Sequence, residues 1–468
     1  MEKYNVILLT IDCLRADHLD CYGYRKQTAP NIARLADRGV LFMDVFSAGP
    51  YTKASFKTIL TGLYPFTKGG YHTIRNVSSL PQMLKNLGYK TFAIPNNVLL
   101  NPQSGYSDGF DVYINPIKKS TSAQKRVAER LGGRKIIRFL NKHVPVLAKK
   151  IKSMFAENPY MMGTEVLSLI VRFITEAKNS RFFIWAHFMD AHHPYRFIPK
   201  LYQIVHGKLL SGRKARKINR MLAHYVHFRK EFRLDLLDEV INLYDTQIRF
   251  IDLMIGRLLE LLERLELLDE TIIVITSDHG EEFMEHGAFG HSGIRYVSHL
   301  YQELLRIPLV IWHPDIGRKR IAHPVSSADI VPTILAANGY SVQGLDGRDM
   351  VAKRESLSTR ILLSEASLCN YKRGILRISP REKIAIAVRI GRWKLIYYES
   401  RNMVPELYNL SQDPEEKRNL IETHRDLAKN LIDNIVKKRL VKIRRWLIRQ
   451  SLHEKHIEPL RKVPHRTG

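Results

Sequence analysis

The stretch from Gly49 to Pro65, GPYTKASFKTILTGLYP, carries a hydroxyl in a position suited to attack. Thr52 precedes a short helical segment that Gly62 can end. Free backbone N–H groups and the positive end of the macrodipole meet there, an environment that holds a phosphoryl or sulfuryl group. Taken alone, a threonine before a helix is more often an N-cap than a nucleophile. The residues that change this reading lie far away in the chain.

Thr276 to Ser292, TSDHGEEFMEHGAFGHS, is the string richest in metal ligands. Asp278 and His279 stand at a strand end before a glycine turn, with His286 and His291 following, so oxygen and nitrogen donors come from a small volume. A second cluster, HFMDAHHPY, offers His187, Asp190, His192 and His193. Strand alternation puts His187 beside the strand and in the core; His192, in the loop before Pro194, is the better site candidate. Asp12 ends the apolar run that starts at Asn5. Mixed carboxylate and imidazole ligation favours Mn²⁺ or Zn²⁺ over the oxygen-seeking Ca²⁺ or Mg²⁺.

Only a fold that joins positions over 260 residues apart can assemble these groups. Asn5–Asp12 reads as a strand buried on both faces, and short apolar runs recur at Thr91–Pro95, Phe182–Phe188, Thr271–Asp278 and Pro308–Trp312. Helical patterns lie between them, at Ile32–Arg38, Leu80–Leu87 and Leu236–Leu265. The alternation predicts an α/β fold with a mostly parallel central sheet flanked by helices. Ligands bind beyond the carboxyl ends of such strands, where Asp12 and Asp278 both stand. Residues 1–340 are expected to form the catalytic domain, interrupted by basic helical insertions at about 116–160 and 200–235. Short strands at Ile384–Arg389 and Trp393–Tyr398 predict a small C-terminal α+β subdomain over 341–430. Residues 431–468 read as a basic amphipathic helix with Ile432, Val436, Leu440, Ile443 and Leu447 on one face.

The 468 residues carry a formal charge of +28, which implies attraction to an anionic partner and names none. Specific nucleic-acid binding has no recognition motif behind it. Three cysteines form no disulfide framework, and no signal-peptide pattern or long uncharged apolar run is present, so the expectation is a cytoplasmic protein, with peripheral contact on the inner membrane face open to it. Oligomeric state is not legible.

The string NVILLTIDCLRADHLDCYGYRKQTAPNIARLADRGVLF, followed in order by TILTGLYP, GYKTFAIPNN, SGYSDGFDVY, HFMDAHHPY, ITSDHGEEFMEHGAFGHS, DIVPTIL, GRWKLIYY and ELYNLSQDPEEKRNL, resembles the sulfatase family of the alkaline phosphatase superfamily. The resemblance spans roughly residues 4–421. It implies an alkaline-phosphatase-like sandwich, one divalent metal held by Asp12, Thr52, Asp278 and His279, and Thr52 at the nucleophile position. It also implies that His192 and His291 contact the transferred group and leaving oxygen or hold a second metal, while Lys53 and Asn97 contact substrate.

The chain departs from the family at telling positions. Sulfatases carry Cys-x-Pro-Ser-Arg at the nucleophile and oxidise that cysteine to formylglycine; here Thr52, Ala54, Ser55 and Phe56 stand instead, so no formylglycine is expected. Cys13 replaces the second acid of the first strand, and Asn96 and Asn97 replace the usual Lys and His. A threonine ester must be resolved by water or another acceptor, which leans toward phosphorus: a phosphate monoester, diester or phosphonate, of small-molecule, glycan or lipid-headgroup type. The alternatives are a sulfuric ester hydrolase, a phospho-group transferase, and an inactive polyanion- or membrane-binding protein.

Overall fold

The computed structural model describes residues 4–68, 73–114, 160–177, 180–228, 232–291, 299–351, 360–367, 383–400 and 403–461, with side chains up to Arg449. The expected basic insertion over 116–160 lies outside these residues except for Tyr160, and so does Cys369.

Strands β1 (Asn5–Ile11), β2 (Val40–Phe46), β3 (Lys90–Ile94), β4 (Val112–Tyr113), β5 (Phe182–Phe188) and β6 (Thr271–Ser277) precede a hairpin, β7 (Glu282–Phe283) and β8 (Phe289–Gly290). β9 (Arg306–Trp312), β10 (Lys319–Ile321) and β11 (Val325–Ser326) follow. Without the hairpin they form one nine-stranded sheet, ordered β10-β2-β9-β6-β1-β5-β3-β4, with β11 also on β2. β9 runs antiparallel to both neighbours, and the remaining pairings are parallel. This is the expected mostly parallel sheet.

β1 shows why the sheet is central. Ile7, Leu9 and Ile11 point into one core and Val6 and Leu8 into the other, so the period-two alternation of a strand feeds two apolar layers at once. On the first face pack α1 (Pro30–Arg38) and, later in the chain, Gly163–Glu176, Gly212–Phe228 and Leu237–Arg264. On the second pack α2 (Thr52–Thr61), α3 (Leu80–Asn86) and Ile330–Ala337. In chain order the helices after α3 are α4 (Gly163–Glu176), α5 (Pro199–His206), α6 (Gly212–Phe228), α7 (Leu237–Arg264), α8 (Gln302–Leu305) and α9 (Ile330–Ala337). The basic segment 200–235 is thus largely helical, and α6 sends Ala215, Ile218 and Leu222 into the main core.

The C-terminal strands β12 (Ile361–Ser367), β13 (Ile384–Ile390), β14 (Trp393–Tyr398) and β15 (Glu406–Asn409) form an antiparallel sheet of their own. α10 (Arg425–Leu431) continues through a π turn at Ile432–Val436 into α11 (Lys437–Arg461). Val436, Leu440, Ile443 and Leu447 share one apolar cluster with Ile386, Val388, Leu395 and Leu407 of the small sheet and with Ala54 of α2. Each fully buried aliphatic side chain contributes about 1.5–3 kcal/mol, enough to dock the helix on its own sheet. Its outer face keeps Lys438, Lys442 and Arg445 in water, with Val441 48% and Ile448 50% exposed. Among the described residues no helix is long and apolar enough to cross a membrane.

Candidate active site

The carboxyl ends of β1, β5 and β6 meet at one level, with Ile11 opposite Phe188 on one side and Ser277 on the other. Asp12 and Asp278, one residue past two adjacent parallel strands, therefore stand side by side, each fully buried. Sequence reasoning placed His187 in the core, and it is fully buried. Its position opposite Thr10 in the register also aims it at the site: Nε2 donates to Asp12 Oδ2 at 3.2 Å, and Nδ1 lies 3.0 Å from Thr10 Oγ1. Asn97 Nδ2 donates to the same Asp12 oxygen at 3.3 Å, so its amide reaches the expected metal ligand.

α2 reaches the site through a close approach. Ser47, just past β2, donates its hydroxyl to the Asp278 carbonyl at 2.6 Å and ties the two strand ends together. At Gly49 an added Cβ would stand 2.3 Å from Ala54 Cβ, so only glycine lets the chain turn this tightly into the helix. Tyr51 is the N-cap, and Thr52 is the first helical residue rather than the residue before the helix. No side-chain capping bond is made there, so the N-cap role that threonine commonly plays is not filled. Thr52 Oγ1 lies 3.5 Å from His279 Nε2 and the residue is 3% exposed. Gly62 closes the helix in the left-handed conformation, φ 68°. Lys53, next in the first turn, is 4% exposed, and burial brings its amine down to about 8.

The Asp-His-Gly string passes close against α8 at Gly280, where a Cβ would meet the Glu303 carbonyl at 1.8 Å. His279 Nδ1 donates to the Gly280 carbonyl at 2.8 Å, which turns Nε2 inward. The β7–β8 hairpin then returns His291 beside Glu281, whose Oε1 accepts from His291 Nδ1 at 2.8 Å. His192 Nδ1 donates to the His193 carbonyl, and its ring stands 5.2 Å from that of His291. The His279 and His291 rings are 4.4 Å apart. Thr52, Asp12, Asp278, His279, His192 and His291 thus share one neighbourhood, linked pairwise through these contacts.

Other residues singled out in the sequence go elsewhere. Asp190 Oδ1 accepts from Gly163 N at 3.3 Å, at the start of α4. His286 bonds Glu303 and stacks on Tyr301 at 3.7 Å. Two site residues escaped the sequence reading as partners: Glu281, and Cys13, whose Sγ donates to Asp12 Oδ1 at 2.8 Å. Glu281 had a signal in its place within the Asp-His-Gly-Glu string, three residues past Asp278.

The electrostatics are those of crowded charge in a dry place. Burial and the neighbouring Asp12 charge push Asp278 up to about 8. Burial acts on Asp12 in the same sense, but the His187 hydrogen bond and the nearby imidazoles hold it well below the usual carboxylate range. His279 is pulled down to about 4 by burial, with the His291 charge adding to it. Burial also pulls on His291, where Glu281 overrides it and raises the imidazole to about 9.

A divalent cation fits this donor set. Asp278 Oδ2 is buried with no hydrogen-bond partner and lies 3.4 Å from His279 Nε2. Among the described residues three groups bring donor atoms within 4.8 Å of one another: Asp12, His187 and Asp278; Asp12, Cys13 and His279; and Cys13, His192 and His291. An orphaned carboxylate oxygen beside inward-facing imidazole is costly unless a cation satisfies it.

Known proteins resemble this chain in sequence and in fold. Arylsulfatase K of Canis lupus familiaris is 31% identical over 182 residues, covering 36% of this chain and 31% of the relative. Choline-sulfatase of Rhizobium meliloti is 29% identical over 189 residues, 39% of this chain and 33% of its own. The matched region thus spans about a third of these relatives. The phosphonate monoester hydrolase of Agrobacterium radiobacter shares the fold, with a TM-score of 0.68 at 20% identity over 95% of this chain and 96% of that one. The family model for the C-terminal part of N-sulphoglucosamine sulphohydrolase matches residues 285–445. The Sulfatase model matches residues 4–340, and the chain belongs to the sulfatase family.

Proposed function

We propose that the protein hydrolyses a phosphate monoester, diester or phosphonate, with Thr52 as nucleophile and a divalent cation held by Asp12, Thr52, Asp278 and His279. The observation that carries this reading is the hydroxyl of Thr52 at the start of α2, 3.5 Å from His279 Nε2, with no capping duty of its own. The cation supplies positive charge that lowers the proton affinity of the Thr52 hydroxyl and steadies the developing anion.

Thr52 Oγ1 loses its proton to solvent and attacks phosphorus opposite the ester oxygen, whose bond to phosphorus breaks. The N–H groups of α2's first turn face the charge of the transferred group. Asn97 and His187, both bonded to Asp12, fix that carboxylate in one orientation. Lys53 faces the anionic substrate. His192 and His291 serve the leaving oxygen, as proton donors or as ligands of a second cation. Water then attacks phosphorus and releases Thr52. Because residue 52 is threonine and residue 56 is phenylalanine, the site departs from the formylglycine pattern.

A sulfuric ester is the second reading, favoured by the names of the two curated relatives. Nitrophenyl phosphate, bis-nitrophenyl phosphate, a nitrophenyl phosphonate and nitrophenyl sulfate, offered to Mn²⁺- or Zn²⁺-reconstituted protein, separate the two. Faster turnover of sulfate than of all three phosphorus esters would overturn the first reading.

We also infer a cytoplasmic protein in peripheral contact with the anionic inner face of the membrane. Leu209 is 78% and Ile204 59% exposed among Lys200, Lys208, Arg213, Arg216, Lys217 and Arg220 around α5 and α6. Exposed apolar side chains between cations suit a bilayer surface.

A further inference from the structure

We propose that Cys13, His192 and His291 form a second cation site, one with a sulfur ligand, which takes a thiophilic divalent ion such as Zn²⁺. The proposal rests on the metal-dependent reading above and adds to it a ligand and a metal preference.

Three observations converge on it. The first is proximity: one donor atom each from Cys13, His192 and His291 falls within 4.8 Å of the others. The second is the way the two imidazoles are held. His291 Nδ1 is engaged by Glu281 Oε1 at 2.8 Å and His192 Nδ1 by the His193 carbonyl, so both present Nε2 as the available donor. An oxygen acceptor on the far ring nitrogen is the arrangement that fixes metal-binding histidines. Glu281 is itself fully buried, and its second oxygen lies 3.9 Å from His193 Nδ1, so a carboxylate charge stands directly behind this pair.

The third observation is the backbone of Cys13. It stands at φ 61°, in the left-handed region that side chains other than glycine rarely adopt. Tyr244 holds it there, its hydroxyl donating to the Cys13 carbonyl at 2.8 Å while accepting from Arg15 N at 2.9 Å. Leu14 N donates to Ser277 Oγ at 3.0 Å on the other side of the turn. Held strain of this kind collects where a side chain must be aimed. Here it turns Sγ to within 2.8 Å of Asp12 Oδ1 and sets it beside the His291 ring, 3.5 Å from the Nδ1 that Glu281 engages.

Cys13 therefore belongs both to the group with His192 and His291 and to the group with Asp12 and His279, and the two sites adjoin through it. Ligation breaks the S–H bond, the sulfur lone pair binds the cation, and the proton leaves to solvent, which also frees Asp12 Oδ1. Thiolate with two imidazoles is a soft set that selects Zn²⁺ and Co²⁺ over Mg²⁺ and Ca²⁺.

The test uses the full chain stripped of metal and titrated with Co²⁺, whose absorption reports sulfur ligation by a thiolate-to-cobalt charge-transfer band. The expected result is two equivalents bound with the band present. Cys13→Ser loses the band and one equivalent and keeps the other; Cys21→Ser changes neither. Two equivalents without the band, or a band that survives in Cys13→Ser, overturns the sulfur site while leaving metal dependence intact. Absence of any Co²⁺ binding overturns the metal-dependent reading itself. Should Cys13→Ser fail to fold, zinc X-ray absorption on the unmodified protein answers the same question: a sulfur neighbour at about 2.3 Å supports the site, and a shell of nitrogen and oxygen alone overturns it.

Discussion

Replacing Arg439 by alanine probes how the C-terminal helix supports the helix that carries Thr52. Arg439 Nε donates to Glu365 Oε1 at 2.5 Å, and one terminal nitrogen reaches Glu365 Oε2 at 3.1 Å and Thr67 Oγ1 at 2.8 Å. Glu365 is fully buried, and the Arg439 side chain is 14% exposed. Beside them Lys57, on α2, donates to the carbonyls of Pro65, Thr67 and Lys68 at 2.8, 2.6 and 2.5 Å. The loop after α2 is thus clamped between α2 and α11. Removing the guanidinium leaves the Glu365 carboxylate in the interior with the Phe66 amide as a donor, at 3.0 Å. An uncompensated buried charge of this kind costs about 3–5 kcal/mol. The control is Arg425→Ala: its pair with Glu422 is 77% and 70% exposed, and solvent screening limits the loss to about 0.5 kcal/mol. Urea denaturation of both variants, followed by circular dichroism, measures the difference. The double variant Arg439→Met with Glu365→Leu should recover most of the lost stability, because no charge is then left behind. A loss at Arg439→Ala of no more than about 1 kcal/mol would refute the reasoning, since surface pairs reach that value.

Gly49→Ala puts a methyl 2.3 Å from Ala54 Cβ and pushes α2 outward, so kcat/KM should fall about 100-fold while melting shifts modestly; unchanged turnover would remove Gly49 from the positioning of Thr52. Leu209→Ser should weaken sedimentation with phosphatidylglycerol vesicles and leave heparin binding as it was, whereas equal loss of both would point to a soluble polyanion in place of a bilayer.

Much of the scaffold could be read from periodicity. Asn5–Asp12, Phe182–Phe188 and Thr271–Asp278 are continuous apolar runs because β1, β5 and β6 are covered on both faces, and the carboxylates that end two of these runs mark the site. Direction was not legible: Pro308–Trp312 reads like its neighbours, yet β9 runs antiparallel, since apolar alternation has no polarity. β12 and β15 were not anticipated. β15 is only four residues long, and both pair with strands whose register the local pattern does not set. In the site, the Asp278–His279 pair and His291 announce themselves by composition, while the role of His187 depends on a cross-strand register with Thr10. Cys13 was visible as a departure from the family pattern, but its aim depends on Tyr244, 231 residues away.

The central claim is that Thr52 is the nucleophile, and Thr52→Ala tests it most directly. Turnover of the best phosphorus ester is measured beside metal content on the same purified sample. The account predicts a fall in kcat of about 10⁴-fold or more, with bound metal retained through Asp12, Asp278 and His279, whose Nε2 lies 3.9 Å from Asp12 Oδ1 and 3.4 Å from Asp278 Oδ2. Turnover near that of the unmodified protein, with metal still bound, would contradict it.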